Sequence, residues 1–375
     1  MTTHQRKIAA IVPILLKWFS ENARDLPWRR TQDPYAIWIS EIMLQQTQIK
    51  TVVPYWERWL RELPDVRTLA TARPEKVLKM WEGLGYYTRA RNLQKAAQQI
   101  VAQHGGTFPK ALPEILALPG IGRYTAGAIS SIAFNHSNPI LDGNVIRVLT
   151  RLFGVCENPR EKAVNARLWE LAGQLVATAT NVPLPTLPDH LRALSGSCSA
   201  LNQSLMELGA TICTPRQPAC TACPLAARCV ARRKAMTGEL PNLGKRAKAT
   251  AREFIALVVE HGSKFLVRRR PSGIVNAHLW EFPNFEVDSA TPTPAAAARS
   301  LGFALASPKP ICVVNHSITR FRISLKAFRA RGAAVGGAAI LNGRWCSLNE
   351  LDALAFTSAH RKIVRHLVGG AATKG

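Results

Sequence analysis

Glu41 stands in PYAIWISEIMLQQTQ (34–48), with Ile37, Trp38 and Leu44 as its neighbours three and four positions away along a helix. A carboxyl on an apolar helical stripe is disfavoured as an anion, so its pKa rises and it suits the task of a general acid. The plainer use of such a residue is a partly buried Glu paired with an arginine. Asp142 precedes the apolar run of LDGNVIRVLTRLFG (141–154), where it is placed to cap a helix N-terminus. Capping is the ordinary role of an arbitrary Asp at such a position. The third chemical group is sulphur. Cys213, Cys220, Cys223 and Cys229 crowd into 17 residues, while Cys156, Cys198, Cys312 and Cys346 are scattered. Four thiolates at tight spacing suit either zinc or an iron–sulphur cluster. Zinc ribbons usually pair two CxxC units across a longer gap, and here only Cys220 and Cys223 form one. Such usage argues for a reducing compartment with one metal site, against a secreted disulfide scaffold.

Between the two acids lies LPGIGRYTAGAI (118–129). Glycines at a helix start let a backbone approach something closely, often a phosphate. Upstream, LPEILAL (112–118) has no strand character, so Gly120 and Gly122 join two helices. That removes the dinucleotide reading, which needs strand, turn and helix. A helix–hairpin–helix remains, with the turn's N–H groups free to hold a DNA phosphate. Close helix packing is the alternative use of the two glycines.

The charge decides between them. The chain of 375 residues carries 49 Lys and Arg against 24 Asp and Glu, a net +25, and its pI is about 10.4. An excess of that size points to a polyanionic partner, with nucleic acid the leading one. With 47% hydrophobic and 19% charged residues the chain is globular and long enough for two cores. The start, MTTHQRKIAAIVPILLKWFS, has Arg6 and Lys7 before an apolar run that continues into Lys17 without a small-residue cleavage site. It reads as an amphipathic helix of a cytosolic protein. No stretch is long enough to span a membrane.

Helical periodicity fills residues 1–232, for example Ile129, Ile132 and Ala133, with Pro and Gly breaks between segments. Residues 183–200, PLPTLPDHLRALSGSCSA, lack a strong period and read as a long loop. A basic, apolar-poor stretch at 233–252 suits a linker. Beyond it FIALVVEHGSKFLVRR reads as a hairpin and RFRISLKAF as a strand. PAAAARSLG and SAHRKIVRHL read as helices. The expected fold is a mainly α domain over 1–232, the linker 233–252, a smaller α+β domain over 253–366 and a flexible tail, 367–375.

Together WISEIMLQQTQ, GLGYYTRARNL, LPGIGRYTAGAI, LDGNVIRVLTR and the cysteine cluster resemble the adenine DNA glycosylase family of MutY type, within the helix–hairpin–helix glycosylase superfamily. The resemblance is dense over about residues 8 to 232 and thinner over 253 to 366. It implies excision of adenine mispaired with 8-oxoguanine, or with guanine, from double-stranded DNA, after the base is flipped into a pocket. It implies that Glu41 protonates the departing adenine and that Asp142 stabilises an oxocarbenium-like sugar, a division of labour shared with glycosidases. Tyr124 and Asn144 then assist in the same pocket. The 6-2-5 cysteine spacing resembles the superfamily's [4Fe–4S] loop, here 213–229, where Arg216 and Arg228 are placed to meet DNA phosphates. Gln45, Gln46 and Thr47 are implied at the lesion, and Leu84 and Tyr86 beside the base opposite the adenine. Core packing is the alternative for Leu84. Bifunctional relatives carry a Schiff-base lysine where this chain has Tyr124, so base removal without efficient strand cleavage is expected.

GIVNAHLWEFPNFEVD resembles the Nudix-like module of that family, but PTPAAAARSLGF has alanines where a working pyrophosphohydrolase needs Mg²⁺-binding acids. Reading of a base is expected there instead. The family's Phe-Ser-His lesion loop corresponds to NHSITRFRI, with Thr319 in place of the Ser and Arg320 in place of the His. A monomer of the cytoplasm, associated with the nucleoid and not with membranes, is expected. The rival functions are a non-catalytic iron–sulphur DNA-binding protein, a bifunctional glycosylase/lyase acting on another damaged base, and a nucleotide pyrophosphohydrolase.

Overall fold

A computed structural model describes residues 3–244, 249–288, 293–301, 303–305, 308–318, 320–334 and 343–372. Packing divides the chain into two units, one of residues 1–71 and 92–246, the other of 72–91 and 247–375.

The helices up to residue 233 are α1 (Thr3–Asn22), α2 (Pro34–Leu44), α3 (Ile49–Glu62), α4 (Val66–Thr71), α5 (Pro74–Met80), α6 (Thr88–His104), α7 (Leu112–Leu116), α8 (Arg123–Phe134), α9 (Gly143–Phe153), α10 (Lys162–Ala179), α11 (Ser197–Thr211) and α12 (Val230–Arg233). Among the described residues, none of the protein's helices is long and apolar enough to cross a membrane. Their starts follow local chemistry. Asp33 accepts hydrogen bonds from Tyr35 N and Ala36 N, with Pro34 at the first helical position of α2. Asp142 accepts from Val145 N at the start of α9, which ends at Gly154 in the left-handed conformation.

In the first unit α11 runs through the core. Leu201, Leu205 and Leu208 pack in one cluster with Ile11, Leu15 and Phe19 of α1, Val148 and Leu152 of α9, and Leu168 and Leu175 of α10. Each such burial contributes about 1.5–3 kcal/mol. Helix α2 is buried on every side from Tyr35 to Met43, which places its one carboxyl, Glu41, inside the protein.

Residues 183–196 are irregular apart from a short turn at Asp189–Leu191, but α11 begins at Ser197, inside the stretch read as loop. The cap is tertiary. Asn135, left-handed at the end of α8, accepts from Cys198 N and Ser199 N, and no side chain near Ser197 in sequence signals this.

The second unit is built on the strands β1 (Thr250–His261), β2 (Lys264–Arg269), β3 (Trp280–Glu281), β4 (Asn284–Glu286), β5 (Phe303–Leu305), β6 (Lys309–Ile318), β7 (Phe321–Ala334) and β8 (Gly343–Cys346), with α13 (Pro294–Ser300), α14 (Leu348–Ala353) and α15 (Ser358–Ala372). The expected β1–β2 hairpin turns at Gly262, and β1 runs parallel to β7, Phe254 opposite Leu325. Helices cover both sheet faces. Ala256 and Val258 face the cluster of Ile363 and Val364 on α15, while Ile255, Leu257 and Val259 face Ala297 and Ala298 on α13. This explains why IALVV is apolar without alternation. Residues 72–91, with α5, pack within this unit.

Candidate active site

Helices α2, α8, α9 and α11 wall a cavity of about 640 Å³ in the first unit. Its lining brings together Glu41, Gln45, Gln46, Thr47, Gly120, Gly122, Tyr124, Asp142 and Asn144, residues drawn from separated motifs.

Glu41 is 5% exposed, and burial raises its carboxyl to about 7. The Tyr124 O–H donates to Oε2 at 2.7 Å and opposes that rise, while the Asp142 charge adds to it. Tyr124 hydroxyl also lies 3.3 Å from Met206 Sδ, and its own pKa is raised, by burial first and then by both carboxylates. Tyr124 is thus a donor at any ordinary pH. The alternative of an arginine-paired Glu41 is not realised: its hydrogen-bond partner is a phenol.

Asp142 caps α9 and lines the cavity at once. Its Oδ1 accepts from Val145 N at 2.7 Å and its Oδ2 from Asn144 Nδ2 at 3.0 Å. Burial raises its pKa, and these bonds and the Arg147 charge oppose the rise. Asn144 is held in turn by Arg147 Nη2 at 2.7 Å, and the same nitrogen donates to Gly209 O at 2.7 Å. A Cβ on Gly209 would lie 2.6 Å from Asn144 Cβ, so glycine lets α11 approach the start of α9.

The hairpin turn connects α7 to α8 as expected. Gly120 has φ +79°, and a side chain there would meet Asn92 at 2.6 Å. Gly122 is exposed at the N-cap of α8, with open space where a Cβ would be. Its conformation permits other residues.

Three cavity residues were not anticipated. Arg24 and Arg29 both bond Glu207 on α11, Arg24 Nε to Oε1 at 2.7 Å and Arg29 Nη2 to Oε2 at 2.9 Å. Burial alone would raise Glu207, but the two guanidiniums outweigh it and hold the carboxyl at about 2. Beside Asp142, the cavity therefore contains one carboxyl poised near neutrality, Glu41, and one that stays ionised, Glu207. The sequence signal for Glu207 was weaker than for Glu41, since the positions three and four away along α11 are Gln203, Ser204, Ala210 and Thr211.

The four clustered cysteines are free thiols. Burial pushes Cys223 up to about 11, and the charges of Cys213, Cys229 and Cys220 raise it further, so the sulphurs share one field. Arg151 donates to Cys213 Sγ at 3.4 Å and to Thr214 O at 2.7 Å, and the Cys229 thiol donates to Arg151 O at 3.4 Å. Among the described residues no three His, Cys, Asp or Glu side chains form a closed metal-holding group. The donor chemistry of four thiols close enough to share one field, one of them against the buried Arg151 guanidinium, fits a group that demands thiolates. Arg216 and Arg228 are exposed on this loop.

Leu84, Tyr86 and Arg320 belong to the second unit and do not line the cavity. Leu84 is buried, as core packing would have it, and Tyr86 is 52% exposed. Arg320 is exposed with its guanidinium 5.2 Å over the Phe321 ring. Thr319 lies outside the described residues.

Comparison with known proteins gives the family. Residues 39–174 match the family described as HhH-GPD superfamily base excision DNA repair protein, and residues 254–366 match the NUDIX domain. The adenine DNA glycosylase of Rattus norvegicus is 32% identical over 94% of this chain and 76% of its own length. That of Buchnera aphidicola subsp. Acyrthosiphon pisum is 36% identical over 73% of each. The chain belongs to the adenine DNA glycosylase family. A solved thermostable thymine-DNA glycosylase superposes with a TM-score of 0.53 at 30% identity, covering 62% of this chain and all of that one. As an adenine DNA glycosylase the protein acts in base excision repair, and its partner is DNA. The net charge of +25 suits that partner.

Proposed function

We propose that the enzyme removes adenine lying opposite 8-oxoguanine or guanine, with Glu41 as general acid and Asp142 as the anion facing the sugar. One observation carries this reading: Glu41, raised to about 7 by burial, and Asp142 line the same cavity. The Tyr124 O–H occupies Oε2, so the proton of neutral Glu41 is offered from its other oxygen. Transfer to a ring nitrogen of adenine lets the N-glycosidic bond break with its electrons leaving on the base. The positive charge that develops on the sugar is met by Asp142, which Asn144 and the Val145 N–H hold in place. Water then adds to the sugar carbon and releases a proton, leaving an abasic site. Arg24 and Glu207 supply a donor and an acceptor toward the polar edge of the flipped base. Tyr124 is no Schiff-base nucleophile, which supports base removal without strand cleavage.

Cys213, Cys220, Cys223 and Cys229 would hold a [4Fe–4S] cluster, which supplies a staple across residues 213–229. Gln45, Gln46 and Thr47 line the cavity mouth toward the lesion, with Gly120 and Gly122 on the phosphate backbone. Tyr86, with Leu84 beneath it, is the wedge beside the opposite base. Thr319 and Arg320 are the candidates for reading 8-oxoguanine.

The test is incubation with end-labelled duplexes holding A:8-oxoguanine, A:G or A:T, followed by heating in alkali. Alkali-labile breaks at the adenine of the first two, and few before alkali, are the expected result. Binding without breaks would overturn the catalytic reading, and breaks before alkali would overturn the monofunctional one.

A further inference from the structure

The turn that carries Tyr86 is strained. Gly83, Gly85 and Tyr86 have φ values of 107°, 70° and 46°, all in the left-handed region. Glycine accepts this without cost; tyrosine does not, and its ring is 52% exposed, so burial offers little compensation. Such a conformation persists only where the surroundings over-determine it. Within the turn, Trp81 Nε1 donates to Gly85 O at 2.9 Å and Arg89 Nη2 to Leu84 O at 2.9 Å.

The residues on either side reach further. Glu82 Oε1 accepts from Phe356 N and from Arg361 Nε, both at 2.8 Å, while Oε2 accepts from Lys79 Nζ at 2.9 Å. On the far side of the turn the Tyr87 O–H donates to Phe356 O at 3.1 Å. Both flanks therefore hold the backbone of one residue, Phe356, whose side chain is fully buried against Phe282 and α15. Arg361 is itself bound by Asp352 Oδ1 at 3.2 Å and by Leu354 O. Apolar contact would attach this segment equally well. A carboxylate with side-chain exposure of 13% against an arginine of 9% adds register, because a shift of one position would break this ion pair and the Phe356 N–H bond together.

We propose that Glu82 is a positioning residue that locks the turn Gly83–Tyr86 onto Phe356 and Arg361 and so sets how Tyr86 is presented to DNA. The DNA half of this inference rests on the assignment of Tyr86 as wedge made above. The test uses the full-length protein and the variants Glu82→Ala, Glu82→Gln, Tyr86→Ala and Glu82→Ala/Tyr86→Ala. In free protein, amide hydrogen exchange over residues 83–88 should quicken about tenfold in Glu82→Ala and stay unchanged in α8 and α9. In binding, the affinity ratio for an A:8-oxoguanine duplex over a fully paired one should fall about fivefold in Glu82→Ala and nothing further in the double variant than in Tyr86→Ala alone. Glu82→Gln, which keeps an acceptor for Phe356 N–H, should recover part of both effects. Unchanged exchange over 83–88 would overturn the lock. An equal Glu82→Ala penalty with and without the Tyr86 ring would show that Glu82 does not act through it. Wild-type protein with no preference for the mispair would instead refute the proposed function, and exchange would still decide the lock.

Discussion

Replacing Glu41 by Gln should stabilise the protein, and by an amount that depends on pH. Burial holds the Glu41 carboxyl at about 7, against an unfolded value of 4.5. Below pH 4.5 the group is neutral in both states and costs nothing. As pH rises from 4.5 to about 7 the unfolded chain loses this proton first, so the folded state loses stability relative to it. Each unit of difference is worth about 1.4 kcal/mol, so roughly 3 kcal/mol is lost once pH exceeds the folded value. Glutamine does not titrate, keeps much of the shape, and still accepts from Tyr124 through its carbonyl. Urea unfolding of both proteins, followed by far-ultraviolet circular dichroism at pH 5 and pH 8, gives the comparison. The advantage of Glu41→Gln should be small at pH 5 and larger by about 2–3 kcal/mol at pH 8, while excision is lost at both. Other titrating groups are common to the two proteins and cancel in the difference. An advantage that does not change with pH would refute the claim that Glu41 is a buried acid held near neutrality.

The single-turnover excision rate of the wild type should fall by about tenfold per pH unit above the Glu41 value of about 7, where the proton is absent; removing the hydroxyl in Tyr124→Phe removes a bond that favours the carboxylate, so the falling limb should move to higher pH. Asp142→Asn keeps the cap acceptor for Val145 N but loses the charge, and should slow excision by roughly 10²–10³ with the thermal midpoint little changed; single-turnover rates within threefold of wild type, an estimate of assay scatter on the order of 1 kcal/mol, would contradict the role. Cys223→Ser should lose iron, thiolate-to-iron absorbance and DNA affinity together; stoichiometric zinc without iron in anaerobically purified wild type would show that the thiolates serve another metal.

Legibility in the sequence followed the range of the forces involved. The hairpin turn, the Asp142 cap and the apolar stripe around Glu41 are local arrangements, set within four residues of one another, and they read correctly. So did the alternation that makes β7 and the unbroken apolar run that makes the covered strand β1. What failed to show were partnerships across the chain. Arg24 and Arg29 meet Glu207 over separations of 183 and 178 residues, and nothing in RDLPWRR says which acid it will find. The start of α11 depends on Asn135, and the Gly83–Tyr86 turn is tied to Phe356. A sequence shows what must be buried or bonded; only the fold shows with what.

The unanticipated triad bears on the chemistry. An acid kept near neutrality needs surroundings with little net field, yet the chain carries a net charge of +25 and two arginines, Arg24 and Arg29, line the same cavity. Arg29 is near enough to Glu41 to lower its pKa. Glu207, ionised between Arg24 and Arg29, supplies the opposing charge inside the same wall, and so limits how far those guanidiniums can drive Glu41 toward its anion. Removing that carboxylate while leaving both arginines should expose Glu41 to the Arg29 charge without its counter-ion. In Glu207→Gln the Glu41 value should fall below about 7 and the falling limb of the single-turnover excision rate should move to lower pH; an unmoved limb would refute the coupling.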